Sequence, residues 1–156
     1  MKLLVCSDSH GNLDYMRRAV ESERPDRVLH LGDVTRDGQR LLEAFPGLAL
    51  EQVRGNCDGW GDGFPEEKEL FLGGKRIWML HGHTYRVKLG IGLLTQEARS
   101  RGEDVVVFGH THEPLCFLDG SLWVMNPGTI RGFPKATYGL IELEAGKINC
   151  RVAEIK

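Results

Sequence analysis

Six histidines occupy positions 10, 30, 81, 83, 110 and 112, and all but His30 fall at a predicted strand end beside an aspartate, a glycine or another histidine. Three stretches carry the pattern: Asp8-Ser9-His10, Gly32-Asp33 and Gly109-His110-Thr111-His112. Gly55-Asn56 and His81 add to it. Carboxylate oxygens and imidazole nitrogens are donors for hard or borderline divalent ions. Asp8, His10, Asp33, Asn56, His81, His110 and His112 make seven candidate ligands, too many for one ion of ordinary coordination. If Asp33 bridges, they divide into two sites of four protein ligands each. Two ions roughly 3.5–4 Å apart can share a hydroxide and hold a phosphoryl group for in-line attack. Mixed oxygen and nitrogen donors without thiolate suit Mn²⁺, Fe²⁺ or Zn²⁺ better than Mg²⁺ or Ca²⁺. Two such ions, two carboxylates and one hydroxide leave a formal charge of about +1, which favours an anionic substrate.

The elements that must position these residues follow from the apolar runs. Leu3–Val5, Val28–Leu31 and Val105–Phe108 precede the three stretches. Such runs suit parallel strands buried on both faces, whose carboxyl ends are where α/β sheets place ligands. Strands are expected over 2–7, 26–31 and 48–53, with helices over 13–22 and 36–45 between them. Asn12 is the expected N-cap of the first helix. Residues 59–65, rich in glycine, are expected to be irregular. Strands over 68–72 and 76–80 should pair as a hairpin through Gly73-Gly74. A helix over 93–101 and a strand over 104–108 lead to His110. From residue 113 on, antiparallel strands are expected, turning at Asp119-Gly120 and Ala145-Gly146. The predicted fold is α/β, a four-layer α/β/β/α sandwich of two mixed sheets, in a single domain spanning 1–156. Within it, alternation along a strand points Asp8 with His10, and His110 with His112, to one side.

Composition sets further bounds. The chain has 156 residues, 41% hydrophobic and 27% charged, as in an ordinary globular domain. No run approaches the roughly 18 apolar residues of a membrane span. The opening run is too short for a signal peptide. A net charge of −2 gives no general attraction for nucleic acid or anionic membrane. None of the four cysteines, at 6, 57, 116 and 150, has C-x-x-C spacing. Cys6 and Cys150 read as small buried hydrophobes, and a reducing cytoplasm is the expected location.

Five motifs taken together, Asp8-x-His10, Gly32-Asp33, Gly55-Asn56-x-Asp58, His81-Gly82-His83 and Gly109-His110-Thr111-His112, resemble in order and spacing the calcineurin-like metallophosphoesterase superfamily. Asn56-Cys57-Asp58 and Asn126-Pro127-Gly128-Thr129 resemble its compact YfcE-like phosphodiesterase branch. The resemblance implies the same four-layer fold and two divalent ions, with Mn²⁺ foremost and Zn²⁺, Fe²⁺ or Ni²⁺ as alternatives. It implies one ion on Asp8, His10, Asp33 and His112, and another on Asp33, Asn56, His81 and His110. It also implies hydrolysis of a small phosphate ester, a diester before a monoester. His81, His110 and the ions would stabilise the phosphoryl oxygens. Many superfamily members carry a histidine where this chain has Cys57. A thiol with a pKa of about 8.5 is a poorer proton donor near pH 7 than an imidazolium, so weaker catalysis on poor leaving groups is expected.

Other residues admit two readings. Cys57 is expected in the pocket beside the substrate, and Asp58 as a group that orients its neighbours. His83 either touches the phosphate or orients His81. Asn12 and Asn126 are capping and turn residues with a supporting role beside the site. His30 reads as a hydrogen-bonded core histidine. Trp60 and Phe64 either form a substrate lip or pack on the scaffold or a second subunit. Arg36, Arg86 and Arg131 follow motifs and read either as contacts for an anionic substrate or, by default, as solvated charge. The fold also serves as a protein-binding scaffold in a retromer subunit, so a metal-binding interaction protein without hydrolysis is the second hypothesis. A nuclease is a weaker third, since the chain lacks a basic surface for long nucleic acid. Homo-oligomerisation is left open.

Overall fold

The computed structural model describes residues 1–59 and 63–155. Trp60 lies outside them. The strands are β1 (Lys2–Cys6), β2 (Arg27–His30), β3 (Ala49–Gln52), β4 (Glu67–Leu72), β5 (Lys75–Leu80), β6 (Val105–Val107), β7 (Leu115–Asp119), β8 (Leu122–Asn126), β9 (Thr137–Glu144) and β10 (Lys147–Glu154). The helices are α1 (Leu13–Glu23), α2 (Thr35–Ala44) and α3 (Gly92–Ser100). Two five-stranded sheets form, in the orders β10-β9-β1-β2-β3 and β4-β5-β6-β8-β7. Both are mixed. β1, β2 and β3 run parallel, while β9 joins β1 antiparallel. β5, β6 and β8 run parallel, flanked by antiparallel β4 and β7.

Alternation along the strands builds three apolar layers. Leu3 and Val5 of β1 pack with Ile77 and Met79 of β5 in the layer between the sheets. Leu4 and Cys6, on the opposite face of β1, meet Met16 and Val20 of α1 and Leu41 of α2. Trp78 and Leu80 of β5 turn the other way, onto Leu94 and Ala98 of α3. A strand with apolar residues at every position is therefore buried on both faces, and the order of layers is helix, sheet, sheet, helix.

Two local expectations change. The C-terminal strands are not purely antiparallel, because β8 also pairs parallel with β6, Val105 opposite Trp123. Asn12 stands at the N-cap position of α1, but its side chain makes no capping hydrogen bond. Its Nδ2 donates instead to the Arg131 carbonyl at 2.6 Å, tying the start of α1 to the loop after β8.

Candidate metal centre

The loops that leave β1, β2, β3, β5 and β6 meet at one edge of the sandwich. Backbone bonds hold them together: Asp8 N–H donates to the Gly32 carbonyl at 3.0 Å, and Gly109 N–H to the His81 carbonyl at 2.9 Å. The candidate ligands lie past the strand ends. Asp8, His10, Asp33, His110 and His112 all have positive φ, from 46° to 70°. Aspartate and histidine are among the residues that tolerate this left-handed region. Loop curvature, not strand alternation, thus brings His10 to 3.8 Å from Asp8, while His110 and His112 turn to different neighbours, His112 to Asp8 and His110 to His81. The crowding explains two glycines. A Cβ on Gly109 would collide with Ser7 Oγ and Asp8 Oδ2, and a Cβ on Gly55 with Asp33 Oδ1.

Two ligand groups result, Asp8 with His10 and His112, and Asp8 with Asp33 and His81. In each, the donor atoms lie within 4.8 Å of one another. His112 Nε2 is 3.1 Å from Asp8 Oδ1. Asp8 is common to both groups, its Oδ1 3.8 Å from His10 Nε2 and from His81 Nε2, and Asp33 Oδ2 of the second lies 3.4 Å from His81 Nε2 and 3.9 Å from His10 Nε2. His81 Nδ1–H donates to the Leu31 carbonyl at 2.8 Å, which turns Nε2 toward the site. His110 Nδ1 lies 3.2 Å from that Nε2. Asn56 sits exposed in the turn closed by Asp58 N–H donating to the Gly55 carbonyl at 3.2 Å.

The electrostatics call for a cation. Asp8 and Asp33 are 0% and 3% exposed. Among the described residues only imidazoles lie within ion-pair distance of either, never a lysine or arginine. Buried carboxylates are paired or hold metal ions, and the oxygen and nitrogen donors here fit a divalent ion. Burial tends to raise the Asp33 pKa, but nearby His81, the hydrogen bond from Cys57 N–H and His10 bring it below the usual range. Burial, with His81 and Lys88 nearby, pushes the His110 imidazole down to about 4. It is therefore a neutral donor near pH 7. Burial and neighbouring Asp33 push the Cys57 thiol up to about 11.

The supporting residues form a tight frame. Asp58 Oδ2 accepts from Asp33 N–H at 2.9 Å and Gly55 N–H at 2.7 Å, and Oδ1 accepts from Thr35 N–H at 3.0 Å. Asn126 is buried and donates to the Gly109 carbonyl at 3.1 Å and to Thr111 Oγ1 at 2.9 Å. His83 packs its ring 5.6 Å from that of His81, and its buried Nδ1 has no hydrogen-bond partner among the described residues. His30 is the hydrogen-bonded core histidine expected, 3.1 Å from Ser9 Oγ, with Gly32 N–H donating to Nδ1 at 3.2 Å. Ser7 and Asp37 escaped sequence reasoning, while Thr129 belongs to the Asn126–Thr129 turn expected beside the site. Ser7 Oγ donates to Asp8 Oδ2 at 2.6 Å, and Thr129 Oγ1 to the Asp8 carbonyl at 2.8 Å. Asp37, buried at the start of α2, accepts from Ser9 Oγ and Gly11 N–H, each at 2.7 Å. A carboxylate in a helical first turn looks like any solvated one in sequence. Only its burial distinguishes it.

A family profile described as "Calcineurin-like phosphoesterase superfamily domain" matches residues 1–146. The chain is 33% identical to the probable metallophosphoesterase YsnB of Bacillus subtilis, over 92% of this chain and 85% of that one. It is 31% identical to the phosphodiesterase YfcE of Escherichia coli strain K12, over 91% and 88%. The Vps29 structure complexed with zinc from Entamoeba histolytica shares the fold, with a TM-score of 0.77 at 22% identity, over 99% of each chain. The chain belongs to the calcineurin-like phosphoesterase superfamily, a metal-dependent family. Within that class, its curated relatives are metallophosphoesterases of the YsnB and YfcE kind.

Proposed function

We propose that the chain is a phosphodiesterase acting on small phosphodiesters with two divalent ions, Mn²⁺ foremost. The carrying observation is a pair of buried carboxylates, Asp8 and Asp33, ringed by imidazoles with no lysine or arginine within ion-pair distance among the described residues. Asp8, His10, Asp33 and His112 would hold one ion, and Asp33, Asn56, His81 and His110 the other. Asp33 is assigned as the bridge: its Oδ2 lies within 3.9 Å of both His10 and His81 while its Oδ1 accepts from Cys57 N–H at 2.9 Å, and Asp8, whose Oδ1 is 3.8 Å from the same two imidazoles, is the other carboxylate able to bridge. Bound ions of this kind supply Lewis acidity and a nucleophilic water at neutral pH.

The protein's own groups do the rest. His81 is locked by the Leu31 carbonyl and keeps Nε2 on the site. Neutral His110 adds a second imidazole beside it. Asp58 grips the backbone of Asp33 and Gly55 and acts as a positioning residue. Cys57 stays a protonated thiol near pH 7 and offers little as acid or nucleophile. Diesters with good leaving groups are the substrates that such a site turns over best. Names of relatives that are phosphodiesterases support the diester preference.

The test is hydrolysis of bis-p-nitrophenyl phosphate against p-nitrophenyl phosphate after chelation and reloading with Mn²⁺, Zn²⁺, Ni²⁺ or Mg²⁺. Metal-dependent turnover of the diester above the monoester is expected. Asn56→Ala, His112→Ala and Asp33→Ala are each expected to lose at least about 100-fold in kcat/KM. Full metal-dependent turnover by Asn56→Ala would defeat the ligand assignment. The second reading, a metal-binding interaction scaffold, rests on the fold shared with Vps29. Two bound metals without turnover of any phosphate ester would favour it.

A further inference from the structure

Helix α2 begins two residues after Asp33 and runs along the rim of the metal centre. Its exposed face carries Arg36, Gln39 and Arg40, spaced i, i+3 and i+4 on one stripe. Two cavities of about 380 Å³ each open against that stripe. One lies among Arg36, Gln39, Cys57, Asp58 and Phe64. The other lies among His10, Arg36, Asp37 and Arg40. Val34 and Arg36 line both. Both border the metal centre, the first through Cys57 beside Asn56, the second through His10.

The free charge in this groove is positive. The Asp58 oxygens are taken by three backbone N–H groups, and Asp37 Oδ2 by Ser9 and Gly11. Arg40 stands 3.8 Å from Asp37 Oδ1. Arg36 has no carboxylate or aromatic partner among the described residues. Two guanidinium groups four residues apart disfavour an isolated helix, and no carboxylate among the described residues pairs with Arg36. A guanidinium presents a rigid fork of donors that matches phosphate in two parallel hydrogen bonds. Cavities at the lower end of the small-molecule range fit a mononucleotide-sized ligand, not a polymer.

Building on the phosphoesterase reading, we propose that Arg36 receives a second phosphate group of the substrate, distinct from the one at the metal centre, with Gln39 and Arg40 flanking it. The preferred substrate class is then a small phosphodiester that carries a second, terminal phosphate group, and a nucleoside bisphosphate, which bears two phosphate groups but no diester bond, is a product-like probe for it.

The test is calorimetric binding to the Mn²⁺-loaded full chain at fixed ionic strength, with adenosine 3′,5′-bisphosphate and adenosine 5′-monophosphate as probes. The bisphosphate is expected to bind about tenfold more tightly than the monophosphate. Arg36→Ala should erase that preference and leave monophosphate affinity within about twofold. Arg17→Ala, an exposed position on α1, should change neither. Equal affinities in the unmodified protein, or a preference that survives Arg36→Ala, would overturn the assignment. Turnover of bis-p-nitrophenyl phosphate is measured on the same preparations. An Arg36-dependent preference without turnover would sustain the anion site and defeat the hydrolase reading. Turnover without the preference would defeat only the anion site.

Discussion

The ligands of the candidate centre are chosen for backbone tolerance as well as donor chemistry. Asp8, His10, Asp33, His110 and His112 hold left-handed conformations that β-branched residues resist. Their orientation then depends on neighbours that supply no ligand. Asp58 is the clearest, with three backbone N–H donors on one carboxylate. Removing it leaves those N–H groups without acceptors, each costing about 1–3 kcal/mol if buried. Asp58→Ala is expected to weaken metal binding about 10–100-fold, with Asp58→Asn recovering part of the loss, as read by metal titration. Undiminished metal affinity in Asp58→Ala would show that the loop holds Asp33 unaided. Gly109→Ala should abolish turnover while far-UV circular dichroism stays native, because the new methyl meets Ser7 Oγ and Asp8 Oδ2.

At the scale of elements, the β4–β5 edge and the end of α3 carry an ion-pair network with a flaw in it. Arg101 bonds Glu97 and Glu67 and lies over the Trp78 ring. Glu103, just before β6, is buried, and its oxygens make no hydrogen bond among the described residues. The nearest cation is Arg76 at 3.7 Å. Burial and the neighbouring Glu69 carboxylate push Glu103 up to about 7 from 4.5. A carboxyl raised on folding favours the folded state least when ionised. The native protein should therefore lose stability as pH rises from about 4.5 through about 7. Glu103→Gln removes that titration. The variant is expected to exceed the parent in unfolding free energy at pH 8, by on the order of 1–3 kcal/mol, and to converge with it near pH 4. Urea unfolding at the two pH values checks this, and a constant difference across pH would refute it.

For the whole molecule, the candidate metal centre draws its residues from both sheets. Asp8, His10 and Asp33 follow strands of one sheet, while His81, His110 and His112 follow strands of the other. An ion bound there would join the layers at the edge where the buried Asp8 and Asp33 carboxylates lie together. A ligand that binds only the folded state stabilises it by RT ln(1 + [L]/Kd), about 4 kcal/mol at a thousandfold excess over Kd. The melting temperature is expected to fall on chelation and to climb with added Mn²⁺ or Zn²⁺. Asp33→Ala should flatten that dependence. A Tm indifferent to metal would mean that the centre forms without contributing to the fold. No helix among the described residues is long and apolar enough to cross a membrane.

The sequence by itself determined the order of elements, because continuous apolar runs such as Val105–Phe108 and helical spacings such as Leu13, Met16 and Val20 are local signals. It also marked the donors at strand ends, because aspartate, asparagine and histidine clustered beside glycine have few other uses there. Only the tertiary structure decided how those donors converge. The left-handed backbones of Asp8, His10, Asp33, His110 and His112 come from crowded loop packing that no strand pattern encodes. The same holds for Asp37, Ser7 and Thr129, whose roles depend on burial against segments distant in the chain. The parallel pairing of β8 with β6 was likewise a tertiary choice, since Leu122–Asn126 reads equally well as a hairpin partner of β7, and register across a crossover is set by packing in both apolar layers.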